Sequence, residues 1–264
     1  MPFSGFLGNA VLAGSCIALA SGLIGWFVVL RGQVFAGDAL SHVAFTGALA
    51  AAAAGLDLRA GLFAVTVLVA LLLGVLGSRA RADDVTIGIV FVWTLGVGVL
   101  FLDLFNTGAA ASNGTIAART LFGSIFGLTA GEARLAALLA AGTAVAVLAI
   151  GRPLLFASID APLAEASRVP VRALGFAFLV LLGLDAAEAT QAVGALLLLG
   201  LLAAPAGAAH RLTASPYRGM GLAMLIALFS MWMGLALSYW IPGLPPGSAV
   251  ILVAVAFYAL TVAI

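Results

Sequence analysis

The stretch FAGDALSHVAFTGAL, residues 35–49, places an acid and an imidazole inside an otherwise apolar segment. Asp38 and His42 are four residues apart, so on a helix they share one face and their side chains can meet. Ionisable groups within apolar spans usually face a cavity or the interior of a helix bundle, because contact with lipid is costly. The stretch therefore predicts a membrane-embedded helix with a polar face.

The composition of the whole chain agrees with a membrane location. Of its 264 residues, 64% are hydrophobic and only 8% are charged, and the mean hydropathy is +1.27. A soluble domain is nearer half apolar and a quarter charged. Apolar runs long enough to cross a bilayer recur along the sequence. We therefore predict an all-α polytopic membrane protein with one domain over residues 1–264, and the net charge of +1 argues against a nucleic-acid partner.

Eight or nine transmembrane helices are expected. The predicted spans lie near residues 6–30, 36–55, 60–77, 85–103, 133–151, 172–184, 188–208, 219–240 and 247–264. We expect Pro205 and Gly207 to break the seventh span near its end. Residues 119–129 are too short to cross comfortably and are predicted to form a re-entrant or surface helix. With nine spans, eight arginines fall on one side and three on the other, which predicts an external N-terminus.

Three interpretations of Asp38 and His42 follow from their spacing. A carboxylate and a neutral imidazole on one helical face can bind a divalent transition metal. Alternatively, Asp38 caps the start of its helix and His42 bonds a backbone carbonyl, or the pair relays protons. Two ligands do not complete a tetrahedral site. A two-fold axis beside this helix would supply a second pair from another copy of the chain.

A second candidate region is the charged segment of residues 152–175. We expect Asp160 to cap a short helix there, with Pro162 in its first turn, and Val169-Pro170 to end it. Such an exposed helix could dock into a soluble partner or could simply be a solvated connector. The sequence contains no lysine, and a Walker A loop requires one. Any ATP that drives transport must therefore bind to another subunit.

The remaining polar residues carry structural interpretations. His210, beside Arg211, is expected at a helix C-terminus, where a cation is favourable. Five acids fall on the predicted outer side and are expected to be solvated loop residues: Asp57, Asp103, Glu132, Asp185 and Glu188.

Six segments carry a resemblance to a known family. Two of them are LRGQVFAGDALSHVAFTGALAA and ADDVTIGIVFVWTLGVGVLFL, and the other four are LFGSIFGLT, SIDAPLAEASRVPVRALG, AVGALLLLGLLAAPAGAA and LPPGSAVILVAVAFYAL. In this order and spacing they resemble the permease subunits of bacterial ABC transporters that take up zinc, manganese or iron. The resemblance covers residues 6–260 and implies a bundle similar to that of type II ABC importers.

The resemblance also implies roles for particular residues and partners. Asp38 and His42 match the family's intramembrane metal positions. Residues 157–169, with Asp160, Glu165 and Arg168, match the coupling helix that contacts the ATPase. The resemblance implies a pair of permease copies in the bacterial inner membrane and its lipid, with two cytoplasmic ATP-binding subunits and an external metal-binding protein. No tightly bound cofactor is expected, since the divalent ion is the cargo.

The sequence departs from the family at two places, and three other functions compete with that of an ABC metal permease. Family members often have an uncharged segment in place of DAAEAT, residues 185–190, and an acid before the final Pro-Gly, where this chain has IPGLPPG. The alternatives are a proton-coupled secondary metal carrier, a siderophore or cobalamin permease of similar build, and an intramembrane enzyme. An enzyme would need more polar groups at depth than Asp38 and His42 supply.

Overall fold

The computed structural model describes residues 5–77, 83–107, 123–195, 198–241 and 243–263. These residues form helices and contain no strand. The helices are α1 (Gly5–Leu30), α2 (Val34–Ala53), α3 (Leu58–Leu76), α4 (Asp84–Thr107), α5 (Ala130–Ile159), α6 (Ala161–Ala166), α7 (Val171–Ala192), α8 (Leu198–Leu212), α9 (Pro216–Trp240) and α10 (Pro246–Ala263). Arg79, Arg81 and Arg119, which contribute to the predicted orientation, lie outside the described residues, as do residues 119–122.

Eight of the described helices are long and apolar enough to cross a membrane, which confirms the predicted fold class. The 15-residue α8 is shorter and, at 1.5 Å per residue, covers roughly 22 Å. Gly200 of α8 lies against Ile251 of α10, and Gly207 lies against Tyr258. The two helices therefore run in the same direction, and α8 supplies a ninth, shorter crossing that begins inside the bundle.

The irregular part of the predicted seventh span lies earlier than expected. Helix α7 continues unbroken through Asp185 and Glu188, so the predicted boundary between two spans at that position is wrong. The chain turns instead at Gly194, whose φ of 101° lies in the region that favours glycine. Pro205 and Gly207 do not break α8. Pro205 removes one backbone N–H, but it is buried among neighbouring helices that hold the backbone in place.

Contacts between helix termini define the two ends of the bundle. At the end that carries α6, which we call the α6 end, Arg31 Nη1 donates a hydrogen bond to Ser158 Oγ at 3.2 Å. At the opposite end, which we call the far end, Asn9 Nδ2 donates to the Leu128 carbonyl at 3.3 Å. α1 therefore runs from the far end to the α6 end.

Helix α4 ends towards the far end, where α5 begins. Gly88 of α4 faces Phe35 of α2, and Gly98 faces Thr46, so the two helices run parallel towards the far end. Helix α5 also begins at the far end, next to Leu128. Residues 123–129, the described part of the predicted re-entrant segment, contain a single 3-10 turn at Ile125–Gly127 instead of an α-helix.

Helix α1 forms the centre of the bundle. It packs against α5, α7, α8 and α9, and most of its residues beyond Ala10 are buried. Glycines permit the closest approaches: a Cβ on Gly22 would lie 2.7 Å from the Ala223 carbonyl oxygen of α9, and one on Gly25 would meet the Leu202 carbonyl of α8. Small residues are favoured at such contacts because helices in lipid associate by close packing.

Candidate functional site

Asp38 and His42 lie in the body of α2, on one face. The helix begins at Val34 with Gln33 as its N-cap, so the expectation that Asp38 caps the helix is wrong. The helix starts one turn earlier because residues 34–37 already have helical backbone. Both side chains are partly exposed. Within the described part of the chain, neither side chain has a hydrogen-bond partner, so both keep ligand atoms available.

The imidazole of His42 is packed against an aromatic side chain of the neighbouring helix. Its ring centroid lies 5.3 Å from that of Phe91 on α4, in an edge-on arrangement. Phe91 also meets Phe35, one turn before Asp38, at 5.9 Å. Edge-to-face ring pairs are favourable beyond simple burial. The pair of contacts therefore restricts where the His42 ring can point.

Ser41 links the face that carries Asp38 to the turn between α7 and α8. Its buried hydroxyl lies 2.7 Å from the Asp38 carbonyl oxygen and 3.0 Å from the Ala195 carbonyl oxygen. Ala195 directly follows Gly194, where the chain turns. The candidate site is thus connected to the irregular backbone inside the bundle by a polar contact that the sequence analysis did not identify.

The described residues of one chain do not form a closed metal centre. Among the described residues, no group of three or more His, Cys, Asp and Glu side chains is close enough to hold an ion. Asp38 and His42 alone supply two ligands, whereas a tetrahedral site needs four. Further ligands must come from outside these residues, such as water, a second copy of the chain or a partner.

The predicted coupling segment contains a short exposed helix. α6 spans six residues, shorter than the predicted 157–169, because residues 157–159 belong to the end of α5. The expected cap is confirmed: the Leu163 backbone N–H donates to Asp160 Oδ1 at 2.9 Å. Ala164 is buried, while Glu165 and Arg168 are exposed. The helix is therefore anchored on one side and accessible on the other.

The end of α6 is a Schellman turn that places Arg168 in an unusual conformation. The Val169 N–H bonds the Ala164 carbonyl at 3.0 Å, and the Arg168 N–H bonds the Glu165 carbonyl at 3.0 Å. Arg168 has a φ of 62°, a region that favours glycine. The helix therefore ends before the predicted stop at Val169-Pro170, because this turn satisfies its last carbonyls.

His210 has the structural role expected for it. Its ring stacks on Trp26 with centroids 4.9 Å apart, and its Nε2 lies 3.0 Å from the Trp26 carbonyl oxygen. Two of the acids expected to be solvated loop residues lie at helix starts instead. Asp57 accepts a hydrogen bond from the Ala60 N–H at 2.9 Å, and Glu132 forms a capping box and an ion pair with Arg59 at 3.4 Å.

Asp185 and Glu188 contradict the expectation of solvated loop residues. They lie inside α7, with exposed fractions of only 3% and 5%. The cause is that α7 continues past them and α1 and α3 cover it. A signal was present in the sequence: Asp185, Glu188 and Gln191 are spaced by three residues, so they follow one helical face.

Three features together indicate a multi-pass membrane permease: helices of membrane-spanning length, a backbone turn inside the bundle, and an ionisable pair on a partly open face. The model of the ABC 3 transport family matches residues 4–264 of this chain. The chain therefore belongs to the ABC 3 transport family, which confirms the resemblance found in the sequence.

Individual relatives are similar over nearly their whole length. The manganese transport system membrane protein MntC of Listeria innocua is 30% identical over 251 residues, which cover 95% of this chain and 87% of that protein. The chelated iron transport system membrane protein YfeD of Yersinia pestis is 26% identical, with 96% and 83% covered. The solved structure of PsaBC from Streptococcus pneumoniae in complex with Fab matches with a TM-score of 0.82 at 26% identity, covering 98% of this chain and 91% of that one.

Proposed function

We propose that this chain is the permease subunit of an ATP-driven importer of divalent transition-metal ions, and that Asp38 and His42 are its metal ligands. A carboxylate with a neutral imidazole suits Zn²⁺, Mn²⁺ or Fe²⁺. The relatives MntC and YfeD are named for manganese and chelated iron transport. The placement of the ionisable pair is the observation that carries the proposal.

The geometry of that pair supports binding by more than one chain. Both side chains are partly exposed on one face of α2, and one chain offers too few ligands for a closed centre. A second copy placed across a two-fold axis beside α2 would add its own Asp38 and His42. The completed site would hold two carboxylates and two imidazoles in a region of low dielectric, where they attract a doubly charged ion strongly.

Transport requires this site to be open to one side at a time. An external metal-binding protein delivers the ion at the far end, and the ion passes to Asp38 and His42. ATP binding to cytoplasmic subunits moves α6 and rocks the bundle, so that the ion leaves at the α6 end. Glu165 and Arg168, the acid and the base of the coupling segment, are exposed where that contact would form. The complex lies in the bacterial inner membrane, and the ion is cargo, with no tightly bound cofactor.

The decisive experiment is metal uptake by the whole transporter in proteoliposomes. Asp38→Ala and His42→Ala each remove one ligand from each copy, and we expect uptake of radioactive Mn²⁺ or Zn²⁺ to be abolished. The ATPase subunits should still copurify with both variants, since neither side chain has a hydrogen-bond partner among the described residues.

Two matched variants control for loss of an acid or of a histidine. Asp57→Asn keeps a residue that can cap α3, and His210→Phe keeps a ring against Trp26, so both should transport normally. Normal uptake by both Asp38→Ala and His42→Ala would remove the site assignment. Uptake by the permease alone, driven by a pH gradient without ATP, would instead support a secondary carrier and overturn the proposal.

A further inference from the structure

A second ionisable pair lies inside each subunit, on α7. Asp185 Oδ2 and Glu188 Oε2 are buried and have no hydrogen-bond partner among the described residues. Buried carboxyl oxygens are costly unless they are bonded or neutralised. We propose that Asp185 and Glu188 form a proton-binding site, loaded with a proton from the far end of the bundle.

The groups around the pair come from three packed helices. From α1, the Ser21 hydroxyl donates to Asp185 Oδ1 at 3.1 Å. From the start of α3, the partly exposed Arg59 guanidinium attracts the Glu188 carboxyl, while it also forms an ion pair with Glu132 of α5. The side that faces α2 is apolar, with Ala44 and Ala48 of α2 and Leu62 of α3 packed with Ala187. Among the described residues, the one cation near the pair, Arg59, acts on Glu188 and is shared with Glu132.

The face of α7 that carries the pair leads towards a cavity at the far end. A cavity of about 280 Å³ lies there, and its lining includes Arg59, Glu132 and Gln191. Gln191 is three residues beyond Glu188, which is three beyond Asp185, so the three side chains follow one face of α7. Water that enters from this cavity can therefore carry a proton past Gln191 to the Glu188 carboxylate, which can exchange it with Asp185.

The arrangement favours a proton over a metal ion. A metal centre needs at least a third strong ligand, and no such group is found among the described residues. A proton needs only one carboxylate to take it up. The protonated carboxyl then has an O–H donor, which can bond the free oxygen of its neighbour. Binding of one proton thus neutralises one of the two carboxylates and provides a hydrogen-bond donor for the unbonded oxygen of the other.

The pair is separate from the proposed metal site. Asp38 and His42 lie on the partly open face of α2, whereas the residues of α2 packed near the acid pair are Ala44 and Ala48. The inference therefore stands or falls independently of the metal assignment. Its consequence is that each subunit carries a group that binds one proton at the end where the ion enters.

Infrared spectroscopy of the purified transporter in lipid nanodiscs tests this directly. At pH 7, we expect a carboxylic acid C=O stretching band that shifts in ²H₂O. Asp185→Asn and Glu188→Gln replace the acids by amides of nearly the same shape, and the double variant should lose the band. Asp57→Asn changes an exposed acid that caps α3 and should leave the band unchanged.

Further measurements keep the test decisive if the double variant does not fold. Ser21→Ala removes the hydroxyl that donates to Asp185, so the band should move in frequency. A wild-type transporter with no such band at pH 7, or a band that Ser21→Ala and the double variant both leave unchanged, would overturn the proton site. Loss of the wild-type band on adding Mn²⁺ at constant pH would also overturn it, because it would assign the pair to a cation.

Discussion

Replacing Ser41 by alanine should loosen the turn between α7 and α8 without touching the metal ligands. The Ser41 hydroxyl lies near two carbonyl oxygens, those of Asp38 and Ala195. The Asp38 carbonyl is also the acceptor for the N–H four residues later in α2, so the loss falls on Ala195. A buried carbonyl left without its donor costs about 1–3 kcal/mol. That cost corresponds to a roughly 5- to 150-fold increase in local opening.

Hydrogen exchange measured by mass spectrometry on the complex in nanodiscs can detect this change. Backbone amides of residues 193–195 should exchange faster in Ser41→Ala, by a factor within the range above. Thr46→Val is the matched control, because its hydroxyl lies on the same helix but bonds the Thr94 carbonyl of α4 at 3.2 Å. Equal exchange in Ser41→Ala and wild type, or equally fast exchange in Thr46→Val, would refute the role given to this contact.

Two further predictions concern backbone geometry. Gly22→Ala should lower the thermal unfolding temperature, because its Cβ would lie 2.7 Å from a carbonyl oxygen of α9 and overpacking costs about 1–3 kcal/mol. Gly221→Ala is the control: no atom lies near the position of its Cβ, so the unfolding temperature should not change. An unchanged temperature in Gly22→Ala would contradict the close packing of α1 and α9. The backbone amides of residues 161–169 should exchange roughly fivefold more slowly in Arg168→Gly than in Arg168→Ala, because a side chain at positive φ costs about 1 kcal/mol. Both variants remove the charge, so equal protection would show that the backbone at residue 168 is unstrained.

The features that depend on short-range patterns could be predicted from the sequence. Long apolar runs locate the membrane-length helices, because no other structure satisfies the backbone in lipid. The shared face of Asp38 and His42 follows from helical spacing alone. The cap formed by Asp160 follows from an acid placed just before a proline-containing helix start. Each of these depends only on residues that are close together in the chain.

Features that depend on distant contacts could not be predicted in this way. The sequence QAVGALLLLG is apolar on both sides of Gly194, so nothing local places the turn there instead of at Pro205. The burial of Asp185 depends on Ser21, its donor in α1. Acids at that position resemble a loop when only their neighbours in the chain are considered. The contact of His42 with Phe91 likewise joins two helices that only the fold brings together.

The central position of α1 has a consequence for how the protein is made. Of the eight candidate spans, it is the one most completely covered, yet the helices that cover it are synthesised later. The hydrogen bond from Ser21 to Asp185 joins positions 164 residues apart. The ribosome needs roughly 8–30 s to translate the chain between them. During that interval, α1 must remain in the lipid or at the insertion machinery without Asp185, the partner of its Ser21 hydroxyl. Because α1 is strongly apolar, it can stay in lipid without its neighbours during this interval. Its tight glycine contacts form only after the later helices have been inserted.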